Sequence, residues 1–149
     1  MEVAVEAYTI GFTRKSAEQF FGTLGKVGVR RLIDVRCNNT SQLAGFSKRD
    51  DLRYFLREIC GIEYVHEPSL APTADLLSSY RKSKLGWDEY EQRYLQLIAS
   101  RGVEDKIDRR LFDVPTALLC SEATAEHCHR RLALEYLGSR WGDLNVVHL

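Results

Sequence analysis

The chain has 149 residues, and its 21 Lys plus Arg are balanced by 21 Asp plus Glu, for a formal net charge of zero. That length suits one α/β domain over residues 1–149, with enough chain to bury a proper core. The neutral balance excludes a generally basic nucleic-acid binder, although a local basic patch stays open.

No stretch approaches the ~20 apolar residues of a membrane-spanning helix, so no membrane contact is expected. Met1-Glu-Val-Ala-Val-Glu6 has neither the basic start nor the long apolar run of a secretory leader. The four cysteines, Cys37, Cys60, Cys120 and Cys128, form no C-x-x-C pair and no secreted disulfide framework. A cytoplasmic protein with reduced thiols is the expectation.

Ala7-Tyr-Thr-Ile-Gly11 reads as a short strand ending at a glycine, followed by the polar loop Phe12 to Lys15. Ser16 and Gln19 have the spacing of a capping box. Phe20, Phe21 and Leu24 give the helix that follows its buried stripe, with Gly25 and Gly28 closing it. Arg31-Leu-Ile-Asp-Val35 predicts a second strand, carrying Asp34 and Arg36 at its carboxyl end. The segment from Cys37 to Gly45 is polar, turn-rich and without periodicity, and predicts a surface loop. Ser47 and Asp50 are expected to start a second helix, with Leu52, Phe55, Leu56 and Ile59 on one apolar face and Gly61 as its stop. Ile62-Glu-Tyr-Val-His66 is a third strand by its β-branched and aromatic content.

Thr73 predicts the cap of a short helix to about Tyr80. Trp87, Tyr90, Tyr94 and Leu97 repeat at helical spacing and predict a helix to Ser100, its aromatic stripe read as core. A further helical stretch is expected from Val103 to Leu111, and Pro115 ends the connection. The apolar run Ala117 to Leu119 predicts a buried strand that ends at Cys120 and Glu122. Thr124 is expected to start a helix that carries Cys128, His129, Arg130 and Arg131 and stops at Gly138. Asn145-Val-Val-His148 is the last strand. The alternation predicts an α/β fold with a mainly parallel sheet of about five strands flanked by helices. The stretch around residues 73–111 is a helical insertion packed beside that sheet.

Several stretches together resemble one family, domain of unknown function 488. They are Tyr8-Thr-Ile-Gly11, Leu32-Ile-Asp-Val-Arg36, Tyr64-Val-His66, Leu118-Leu-Cys-Ser-Glu122, Cys128-His-Arg130 and the closing Val147-His-Leu149. The likeness runs in order along nearly the whole chain. The family's first motif often reads Thr-Ile-Gly-His-Ser, whereas Phe12 and Thr13 fill its last two positions here. The resemblance implies a small α/β fold and a site built from the Asp-Val-Arg and Cys-x-Glu…Cys-His-Arg segments. It implies no particular reaction.

Ligands of open α/β sheets bind beyond the carboxyl ends of the strands, which is where these segments fall. Asp34 in an apolar strand needs a partner. It is either half of a structural ion pair or a catalytic carboxylate oriented by an arginine, and adjacency of the second and fourth strands would bring Arg36 to Glu122. Cys120, ahead of a helix start, is either a core thiol or a nucleophile of lowered pKa. Adjacent helical residues diverge by about 100°, which argues against Cys128 and His129 sharing a metal ion; no metal and no cofactor is assigned.

Arg130 and Arg131 near a helix start are at the unfavourable end for cations, which points to an anionic partner. With Arg14, Lys15, Arg36 and Lys48 they outline an anion pocket, while no G-x-G-x-x-G or P-loop is present. The expectation is an enzyme, a hydrolase or transferase, acting on a small anionic or nucleotide-like substrate. Glu122, Cys120 and Asp34 are its catalytic candidates, and Arg36, Arg130, His129, Gly11 and Thr13 its binding candidates. The alternatives are a non-catalytic module for nucleic acid or a protein partner, and a metal-dependent hydrolase. Substrate and oligomeric state are not legible.

Overall fold

Five short strands build one parallel sheet: β1 (Val5–Gly11), β2 (Arg31–Asp34), β3 (Glu63–His66), β4 (Thr116–Cys120) and β5 (Leu144–His148). Their order across the sheet is β3-β2-β4-β1-β5. The computed structural model describes residues 5–37, 45–82, 84–120, 128–142 and 144–149. The predicted loop thus falls largely, and Glu122 and Thr124 entirely, outside the described residues.

Local chemistry sets most element ends. Helix α1 (Ala17–Val27) opens on the expected capping box: the Gln19 N–H donates to Ser16 Oγ at 3.1 Å, and the Ser16 N–H donates to Gln19 Oε1 at 2.9 Å. Gly28, at φ 80°, turns the chain out of it, whereas Gly25 lies inside. Helix α2 (Arg49–Phe55) starts after Lys48, with no side-chain cap; the expected Ser47 belongs instead to the short 3-10 turn Gly45–Ser47. It runs on into a wider π turn, Leu56–Cys60, before Gly61 at φ 65°. The extra residue in that turn rotates Ile59 away from the face shared by Leu52 and Leu56. Ile59, expected in the core, is 62% exposed.

Between β3 and β4 lie α3 (Ala74–Arg81), α4 (Trp87–Arg101), α5 (Val103–Lys106) and the 3-10 turn Arg109–Phe112, which together form the helical insertion. Thr73 caps α3 by accepting from the Leu76 N–H at 3.1 Å. Tyr90, Tyr94 and Ile98 are the buried face of α4, and the Tyr94 hydroxyl donates to Leu70 O at 2.7 Å. The last helix, α6 (His129–Trp141), differs at both ends from expectation. Cys128 precedes it in extended backbone (φ −141°, ψ 140°), and the helix runs through Gly138 to Trp141, with Gly142 as its cap. A glycine inside a helix costs only ~1 kcal/mol against alanine, which the buried side chains around it, Leu134 and Leu137, outweigh.

The two faces of the sheet carry separate cores. Tyr8, Ile10, Leu32, Ala117 and Leu119 pack under α1 and α2, with Phe20, Phe21, Leu24, Leu52 and Leu56. Ala7, Ile33, Leu118 and Cys120 point the other way, toward Ile98 of α4, Val103 of α5 and Leu132 to Leu137 of α6. Strand β4 is buried along its whole length. The chain leaving β1 and β2 goes to the α1 and α2 face, while the chain leaving β4 returns on the α6 face. The carboxyl end of β4 is therefore a topological switch point flanked on both sides, the place where open α/β sheets form a crevice. Among the described residues no helix is long and apolar enough to cross a membrane.

Candidate functional site

Cys120 is the last residue of β4 and pairs in register with Gly11 at the end of β1. Cys128, in extended backbone one residue before α6, brings a second sulfur back to the same point. The two sulfurs are close enough to be joined as a disulfide, across Cα atoms 7.6 Å apart. Because Cys128 is not helical, the divergence argued from sequence between Cys128 and His129 does not apply. One donor atom each from Cys120, Cys128 and His129 lies within 4.8 Å of the others, and all three residues are buried.

The next two side chains of α6 complete the cluster. His129 Nε2 sits 2.7 Å from Val35 O. A carbonyl only accepts, so Nε2 carries the hydrogen and Nδ1 keeps its lone pair. Burial, partly opposed by that bond, pushes the His129 pKa down to about 4, and the ring is neutral at neutral pH. The Tyr94 ring lies edge-on to it, 5.5 Å between centroids. Arg130 is wholly buried, and its Nη1 donates to Cys120 Sγ at 3.1 Å and reaches Cys128 Sγ at 3.9 Å.

Basic side chains gather at this edge. Burial, and then the charge of Arg130, lower the pKa of Lys15 in the loop after β1. The same two causes lead in lowering His148 on β5, whose Nδ1 lies 2.6 Å from Thr9 Oγ1. Arg131 turns outward to Glu135 at 3.0 Å, with its guanidinium 6.0 Å from the Trp87 ring centre. The family described as Domain of unknown function DUF488 matches residues 16–137. The chain belongs to this family. No curated protein and no solved structure matches it. The DUF488 match takes in Cys120, Cys128, His129 and Arg130, and leaves Thr9 and His148 beyond its two ends.

The second expected segment of this DUF488 chain goes to the opposite face. Asp34 and Arg36 are both buried and paired with each other: Nε to Oδ1 at 2.8 Å and Nη2 to Oδ2 at 2.8 Å. Arg36 Nη1 donates to Ser47 O at 2.7 Å, and its guanidinium lies over the Phe12 ring. The Tyr64 hydroxyl adds a further bond to Asp34 Oδ2. Strand alternation places this network with Leu32, Tyr64 and Leu119 on the α1 and α2 side, while Cys120 faces α6. The arginine read from sequence as a partner for Glu122 thus has Asp34 as its carboxylate, and Glu122 itself lies outside the described residues.

Gly11 is buried beside Cys120, and Thr13 is exposed in the turn that follows, next to Arg14 at φ 64°. Sequence reasoning missed Tyr64 and His148. Alternation along β3 would have set Tyr64 on the face of Asp34; His148 needs the pairing of β5 with β1, for which no local signal exists.

Proposed function

We propose that the protein is an enzyme acting on a small anionic or nucleotide-like substrate at the carboxyl end of β4, with Cys120 in its thiolate form at the reaction centre. The observation that carries this reading is the fully buried Arg130, which donates to Cys120 Sγ at the start of α6. Burying a guanidinium costs several kcal/mol unless charge compensates it, and a sulfur thiolate is a group that gains reactivity from the same contact. The site also lies at a switch point of the sheet, where ligands of this architecture bind.

In this reading the first N–H groups of α6 and the Lys15 ammonium hold the anion, with Gly11 and Thr13 lining its approach. Glu122, two residues beyond Cys120 in the chain, serves as general acid or base. His129, neutral and fastened to Val35 O, holds the helix start in place. Asp34 and Arg36 brace the neighbouring strand end from the other face and do not touch substrate.

A thermal-shift screen of nucleotides and phosphorylated metabolites, run on the reduced protein, supplies candidate ligands, and turnover of each hit is then followed. Cys120→Ser is expected to abolish turnover while ligand-induced stabilisation persists, and Glu122→Gln to lower it by the ~10²–10⁴-fold of a lost acid or base. Tight binding of hits with no turnover of any would reduce the protein to a binding module.

A further inference from the structure

We infer that the reduced Cys120, Cys128 and His129 form a zinc site, with Cys120 Sγ, Cys128 Sγ and His129 Nδ1 as ligands. This rests on the reading that the cluster is the reaction centre and turns Cys120 from a bare thiolate into a metal ligand. Three independent features support it. The three donors converge to within 4.8 Å and are all buried, shielded from competing water. The His129 ring is already fixed by donation of Nε2–H to a backbone carbonyl, which is how metal-bound histidines are oriented, and its free lone pair is on Nδ1. The Cα atoms of the two cysteines stand 7.6 Å apart, beyond the ~4.4–6.8 Å of ordinary disulfides. Two Zn–S bonds of about 2.3 Å each, meeting at one ion, span that distance more comfortably.

The donor set selects the metal. Two thiolates and an imidazole suit zinc and other borderline or soft ions, and are poor ligands for magnesium or calcium. Charge also fits: a divalent ion with two thiolates is neutral, so the guanidinium of Arg130 faces no net positive centre. Its N–H to Cys120 Sγ then acts as an outer-shell bond to a coordinated sulfur. Among the described residues the donors number three, and the fourth tetrahedral position is left to water, substrate or a further group.

The test starts from full-length protein purified in reductant without added metal, its zinc measured by elemental analysis. About one zinc per chain is expected. It should be lost in Cys128→Ser and retained in Cys60→Ser, a half-buried cysteine outside the cluster. Arg130→Met should keep the site and weaken zinc binding ~10–100-fold, as loss of an outer-shell partner does. Should the cysteine variants fail to fold, cobalt replaces zinc in the unaltered protein, where thiolate-to-cobalt charge-transfer absorption reports sulfur ligation. Zinc absent from reduced protein, zinc that survives Cys128→Ser, or cobalt without a thiolate band overturns the inference. A Cys120–Cys128 disulfide that persists in reductant overturns it as well. Turnover by a metal-free protein would overturn the zinc site and leave the proposed enzyme standing, whereas one bound zinc with no turnover of any hit does the reverse.

Discussion

Arg36 folds back on Asp34, two positions earlier in the chain, and each of its two guanidinium contacts to the carboxylate is 2.8 Å long. Both residues are buried, so the pair is held by its own geometry and by Ser47 O and Tyr64 Oη rather than by water. Removing one partner strands a buried charge. Asp34→Ala is expected to cost about 3–5 kcal/mol, and replacing both residues together with Leu and Met to restore most of that loss. Urea unfolding of the single and double variants measures it. Additive losses in the double variant would show that the two side chains act separately.

Two glycines on the α1 and α2 side should respond in opposite directions to alanine. A Cβ at Gly25 or at Gly61 meets no atom within 4 Å, so backbone conformation alone decides. Gly25 lies within α1, and Gly25→Ala should stabilise by roughly 0.5–1 kcal/mol. Gly61 sits at φ 65°, and Gly61→Ala should destabilise by about 1–2 kcal/mol. Thermal midpoints moving in the same direction would contradict this assignment.

The π turn at Leu56–Cys60 makes neighbouring apolar residues unequal. Leu56→Ala should cost ~2–5 kcal/mol as a core truncation, and Ile59→Ser less than about 0.5 kcal/mol. Denaturant midpoints of the two variants decide between this turn and an uninterrupted α-helix, in which both would be costly.

Ser16→Ala removes the acceptor for the Gln19 N–H and breaks the reciprocal cap of α1. A loss of about 1 kcal/mol is expected. Gln19→Ala should cost less, because alanine at a helical position has the better helix propensity and offsets part of the lost bond. Equal losses would mean that the two hydrogen bonds stabilise the helix alike.

Where local chemistry decides, sequence and structure agree. Ser16 and Gln19, Thr73 at α3, Gly61, and the apolar runs of β2 and β4 each act through their immediate neighbours, and all are visible in a short window. The π turn left no such mark, since Leu52, Phe55, Leu56 and Ile59 match an α-helical stripe whether or not a residue is inserted. Cys120, Cys128, His129 and Arg130 were legible as near neighbours in sequence and not as an arrangement. Alternation along a strand puts Asp34 and Arg36 on one face, yet the face of β4 that carries Cys120 depends on its register with β1 and β2, set by partners distant in sequence. The extended backbone of Cys128 was likewise hidden, and with it the approach of three donor atoms.

The strand order has a consequence for how the protein comes into being. Strand β1 is made first but lies between β4 and β5, its hydrogen-bonding partners from the far end of the chain. During synthesis both of its edges stay open until nearly all of the sequence has emerged. Pairings of such long separation form slowly, and an open apolar strand edge invites association with other chains. The nascent protein is therefore most vulnerable to aggregation late in translation, before β4 arrives to close the middle of the sheet.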